Sequence, residues 1–225
     1  MHVFLNYLLY CSIISIPLSA IVGIYSWRYL TLPFKLIFFQ IICASFADIT
    51  GRILEIYLNN NIFLYNAYLF IELWLVGLAG WYMIRNKTYQ KWLMAFLIIC
   101  TVVAIVSISI TGIKVFANWA FLMECLLLTI TYLGILINLL ISNKGNITKE
   151  PVFWLCIGII TYFGCNVPLF GMLNYLVEYH PLLGNYIYRI DHVLCIIRYS
   201  FVAVGFLSCR KHIFTSKLIT NYERP

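Results

Sequence analysis

The chain has 225 residues, of which 63% are hydrophobic and only 10% charged, with a mean hydropathy of +0.92. A soluble domain carries about 25% charged residues, so this composition excludes a soluble enzyme or binding module and points to an integral membrane protein. The net charge of +7 would suggest nucleic acid in a soluble chain. Here its distribution reports topology instead, and no nucleic-acid partner is expected.

Seven long apolar stretches account for the chain, over approximately 5–27, 34–58, 62–84, 92–112, 115–142, 151–176 and 186–209. Each reaches the ~20 residues that a helix needs to cross a bilayer. The expected fold is all-α: one polytopic domain over 1–225 with seven transmembrane helices and a short basic tail over 210–225. Arg28 and Lys35 lie in the first loop, Arg85, Lys87 and Lys91 in the third, and Lys144 and Lys149 in the fifth. Arg210, Lys211, Lys217 and Arg224 follow the last helix, whereas the opposite loops contribute Lys114, with Arg189 just inside helix 7. Positive charge stays on the cytoplasmic side, so the N-terminus is expected outside and the C-terminus inside. An Ile-, Asn-, Tyr- and Lys-rich composition fits an AT-rich bacterial genome, hence a multi-pass protein of the inner (plasma) membrane.

Helix 1 lacks a basic n-region and a clear cleavage site, so it is expected to be retained. Its Ser12, Ser15, Ser19, Gly23 and Ser26 lie along one side, a seam for close helix packing. Pro17 is a candidate kink. On helix 2, Ser45, Asp48, Arg52, Glu55 and Asn59 follow at steps of three or four and share one stripe. Charged groups in a membrane span normally face a bundle interior or a wet cavity, so this stripe is expected to look inward. A tight turn, Asn59-Asn60-Asn61, makes helices 2 and 3 antiparallel neighbours.

On helix 3, Tyr65, Tyr68 and Glu72 share a face, while helix 4 has no ionisable residue between Trp92 and Ile113 and reads as peripheral. Helix 5 repeats Glu124, Thr131 and Asn138 at seven-residue intervals, expected to form one polar stripe on an apolar rod. Helix 6 carries Tyr162, Asn166 and Pro168, and an outer loop from Val177 to Asn185 holds Glu178 and His180. Helix 7 sets Tyr188, Asp191, Cys195 and Arg198 on one face with His192 beside them. The tail from Lys211 is too short for an output domain.

Topology turns these positions into depths. Asp48, Arg52, Glu55, Tyr65, Tyr68, Glu72, Glu124, Asn166, Asp191, His192 and Arg198 are the candidate ligand-binding residues, in a band between midplane and outer surface. A cavity opening outward is the simplest geometry. The structural alternative is local neutralisation, Asp48 with Arg52 at i,i+4 or Asp191 with Arg198.

Other chemistries fall away. Helix 7 has no lysine for a retinal Schiff base. An intramembrane zinc hydrolase needs about three ligands around an open position, and only His192 and His180 are offered. No HExxH, GxSxG or P-loop occurs, so no catalytic residue, metal or cofactor is expected. The eight cysteines are scattered singly without a CxxC pair and read as small apolar residues. The sequons at Asn86 and Asn146 fall on loops assigned to the cytoplasm.

The run from Asn59 through Tyr65, Asn66 and Tyr68 to Glu72 resembles a signature of small seven-helix membrane proteins of Bacteroidetes, in which a twin-asparagine turn leads into a Tyr/Glu-bearing third helix. The resemblance extends loosely over the chain, including Phe153-Trp154 and the Tyr162–Asn166 region. Such modules resemble the membrane sensor halves found fused to, or beside, histidine kinases. The resemblance implies Asn60, Tyr65, Tyr68 and Glu72 as shared positions and a separate cytoplasmic partner such as a histidine kinase.

The leading expectation is thus a non-enzymatic sensor binding a small molecule or lipid headgroup, with the lipid bilayer, a cytoplasmic signalling protein and a further copy of the chain as partners. The alternative is a small proton-coupled transporter using Asp48 or Glu72. A third reading is an intramembrane lipid-modifying enzyme with His192 and Asp191 as an acid/base pair.

Overall fold

The computed structural model describes residues 2–143, 145–179 and 181–222, with the side chains of 2–7, 9, 173–178, 181–188 and 212–222 left undescribed. Lys144, His180 and Arg224 lie outside the described residues, as do the side chains of Glu178, Tyr188 and Lys217.

The described residues form seven α-helices: α1 (His2–Ser26), α2 (Leu32–Leu58), α3 (Ile62–Met83), α4 (Lys87–Thr111), α5 (Asn118–Ser142), α6 (Pro151–Tyr179) and α7 (Pro181–Tyr222). Each contains a segment long and apolar enough to cross a membrane, as composition requires. Local chemistry sets their ends. Pro33 sits in the first turn of α2, and Pro151 and Pro181 open α6 and α7, where a missing N–H costs nothing. The α2 helix stops at Asn59, which adopts the left-handed region (φ 52°) that asparagine tolerates. Asn86 caps α4 by accepting from the Thr88 and Tyr89 amides.

The helices close into a ring: α1 packs on α2 and α7, and the remaining helices follow in chain order from α2 to α7. Because α3 also touches α5, α4 is displaced to the outside of that ring, as its uniformly apolar sequence suggests. The serine-glycine side of α1 is a packing seam, with Ser12, Ser19, Gly23 and Ser26 buried. A Cβ on Gly23 would lie 3.1 Å from Phe206 and closer still to Phe38. The α6–α7 contact is close at Gly158, where a Cβ would stand 3.1 Å from the Arg198 carbonyl oxygen.

Charge separates the two ends. Arg28, Lys35, Arg85, Lys87, Lys91, Lys149, Arg210 and Lys211 gather where α1, α3 and α5 end, whereas Lys114 and Arg189 belong to the other end. At the basic end the interior is filled by Phe34, Phe38 and Phe206, with Phe206 edge-on to the other two at centroid distances of 6.3 and 6.4 Å.

Three expectations need correction. The loop placed over Val177 to Asn185 is instead helical on both sides of residue 180, because Pro181 starts α7 rather than interrupting it. The α7 helix also runs past residue 209 to Tyr222, with no glycine or proline between those two positions to stop it, so much of the basic tail is helical. On α5, Glu124 is buried, Thr131 half-buried and Asn138 exposed. An untwisted α-helix drifts by ~20° per seven residues, so a strict seven-residue repeat does not stay on one face.

Candidate functional site: a charged cavity at the non-basic end

The end of the ring opposite the basic loops holds a cavity of 540 Å³. Six helices or their flanks line it, all except α4. Chain direction sets the depth of each group. Asn61, Ile62, Arg52 and Glu55 stand near the α2–α3 turn, whereas Ala44, Glu72, Arg198 and Tyr199 form the floor.

At the floor one carboxylate oxygen is the acceptor for three donors. Glu72 Oε1 receives Arg198 Nη1 at 2.7 Å, Gln40 Nε2 at 2.9 Å and the Tyr68 hydroxyl at 3.3 Å. Gln40 Nε2 also donates to the Tyr68 hydroxyl. The Arg198 guanidinium lies over the rings of Tyr162 (4.7 Å), Phe163 (4.8 Å) and Tyr199 (5.4 Å). Aromatic faces attract a cation, so these rings replace part of the hydration that Arg198 forgoes by burial.

The walls are polar on the α2 and α7 sides. Tyr65 and Asp48 face the cavity together across the α2–α3 contact, and the Tyr65 ring sits against Gly51, whose missing side chain makes room for it. Asp191 Oδ1 accepts from Asn166 Nδ2 at 3.0 Å. His192 Nδ1 lies 3.3 Å from the Ser12 hydroxyl of α1. The Arg52 Nε is buried without a hydrogen-bond partner. Phe116, Phe121 and Phe170 pack on one another, with centroids 4.6 to 6.0 Å apart, and form an apolar wall on the α5–α6 side.

Asn66 fixes the rim. Its side-chain amide donates to the carbonyls of Ile113 and Val115, and its oxygen accepts from the Ala117 amide. The α4–α5 loop, and with it Phe116, is thereby tied to α3.

Asp48, Arg52, Glu55, Tyr65, Tyr68, Glu72, Asp191, His192 and Arg198 all line the cavity. Asn166 stands behind Asp191. Glu124 is not on the lining. It is fully buried in α5, and neither carboxyl oxygen has a hydrogen-bond partner. The inward stripe on α2 is shifted from expectation: Glu55 and Asn59 are exposed, whereas Gln40, two turns below Asp48, is buried. The local neutralisation of Asp191 by Arg198 does not form, because Arg198 pairs with Glu72.

Sequence reasoning missed Gln40, although its spacing of eight from Asp48 placed it on the same stripe. It also missed Tyr199, adjacent to Arg198, and Ser12, which was assigned to packing alone. The phenylalanine wall carries no signal in so apolar a chain. No family model matches the sequence, and no curated protein or solved structure matches it either.

Fixed charges, phenol groups and aromatic faces around a preformed void are the chemistry of recognition. Pockets of roughly 300–1,000 Å³ bury most of a small organic ligand.

Proposed function

We propose that the chain is a receptor-like sensor of a bacterial inner membrane, binding a small molecule or lipid headgroup in this cavity and signalling to a cytoplasmic partner such as a histidine kinase. The observation that carries the reading is a 540 Å³ cavity, lined by charged, phenolic and apolar side chains, whose described lining residues lie in the half of the bundle away from the basic loops. Beyond its floor the path is filled by Phe34, Ile37, Phe38, Ile41, Val202 and Phe206. A closed floor favours binding over passage. With the basic end in the cytoplasm, the cavity opens outward, the N-terminus is outside and the C-terminus inside. Ligand contacts that span α2, α3 and α7 would favour one arrangement of those helices and so shift a conformational equilibrium. The helical extension of α7 past residue 209 is a direct route from the cavity to the cytoplasm.

Crosslinking of the C-terminally tagged protein in intact cells tests this reading. A stoichiometric cytoplasmic signalling protein is expected. Recovery of the chain alone, together with solute flux into proteoliposomes that depends on Asp48 or Glu72, would establish the transport alternative instead.

A further inference from the structure

The cavity is acidic. Its lining holds four carboxyl groups, Asp48, Glu55, Glu72 and Asp191, against two guanidinium groups, Arg52 and Arg198. Arg198 is committed to Glu72, so its charge is spent. Asp48 and Asp191 inside the cavity, with Glu55 at its exposed mouth, then face Arg52, so with His192 neutral the balance is negative. Uncompensated charge inside a membrane protein is costly, so a cation entering here is favoured.

A second, independent observation concerns hydrogen bonds. Glu72 is 5% exposed and lines the cavity, yet all its donors converge on Oε1. Among the described residues none donates a hydrogen bond to its Oε2. An acceptor left open at the floor of a cavity calls for a donor, and an ammonium group brings three donors and no acceptor. The Tyr65, Tyr68 and Tyr162 rings add aromatic faces near these carboxylates, a further preference for a cation. Across from them, the Phe116, Phe121 and Phe170 wall offers nothing polar.

We infer that the cavity recognises an amphipathic organic ammonium ion, with the ammonium group between Glu72 Oε2 and the carboxylates of Asp48 and Asp191 and an apolar body against the phenylalanine wall. The inference rests on the reading of the cavity as a ligand site and specifies the ligand's class. The ammonium group is supplied either by a free amine or by an aminophospholipid headgroup.

Isosteric probes decide it. Wild-type protein in phosphatidylcholine nanodiscs is titrated with 2-phenylethylamine, 2-phenylethanol and phenylacetate, followed by calorimetry and thermal unfolding. The amine is expected to bind at least tenfold more tightly than either isostere. Asp191→Asn and Asp48→Asn, which keep the side-chain shape, are each expected to weaken the amine tenfold while leaving the alcohol unchanged. Equal or tighter binding of the alcohol or the acid overturns the cation inference but keeps the cavity as a ligand site. Absence of binding by all three probes, and by n-hexylamine and ethanolamine, overturns both. A higher unfolding temperature in phosphatidylethanolamine than in phosphatidylcholine nanodiscs, abolished by Asp191→Asn, identifies the lipid headgroup as the source.

Discussion

Arg198 Nη1 donates to Glu72 Oε1 at 2.7 Å, joining α7 to α3 across 126 positions of sequence, with side chains only 3% and 6% exposed. Breaking a buried pair by removing one partner strands the other charge and costs about 3–5 kcal/mol. Replacing both by apolar groups of similar size removes that penalty. Glu72→Met and Arg198→Met are each expected to lower the unfolding temperature in detergent strongly. The double variant Glu72→Met/Arg198→Met should recover more than half of the larger loss. Additive losses in the double variant would show that the two residues do not stabilise the bundle as a pair.

Glu124 is the opposite case. It is fully buried, and both carboxyl oxygens lack a hydrogen-bond partner. An unsatisfied buried polar group costs about 1–3 kcal/mol, and more when charged. Glu124→Met, close in volume, is expected to raise the unfolding temperature, with ligand binding retained because Glu124 is off the cavity lining. A fall in unfolding temperature would reveal a stabilising partner for the carboxyl group.

The α6–α7 contact makes a steric prediction. At Gly158 an added Cβ meets the Phe201 Cβ at 3.0 Å and the Arg198 carbonyl oxygen at 3.1 Å, neither on a flexible side-chain end. Overpacking costs typically about 1–3 kcal/mol, so Gly158→Val should destabilise the bundle and loosen Arg198 in its site. Gly134 on α5 has no atom within 4 Å of the equivalent position, and Gly134→Ala should be neutral or stabilising by about 0.5–1 kcal/mol. Thermal unfolding of both variants checks the contrast; equal effects would contradict the packing.

Orientation is open to a reporter experiment. Alkaline phosphatase joined after Asn60 is expected to be active, and green fluorescent protein at the C-terminus to fluoresce. The reverse pattern would turn the cavity mouth to the cytoplasm and overturn an outward-facing receptor.

Much of this arrangement was legible in the sequence. Long apolar runs declared seven spans, lysine and arginine declared two unlike ends, and steps of three and four put Asp48 with Arg52, and Tyr65 with Tyr68 and Glu72, on shared faces. These properties are local: hydropathy, charge and helical period are set by residues within a few turns of one another. Only the tertiary structure chose Glu72 rather than Asp191 for Arg198, drew in Gln40, sent Glu124 into the packed interior and gathered three phenylalanines into one wall. Those choices depend on how far each helix is rotated about its axis and on its depth against its neighbours. Both are set by interlocking apolar side chains, and in a chain this uniformly apolar many rotations bury nearly the same surface, so periodicity alone does not select the one that packs.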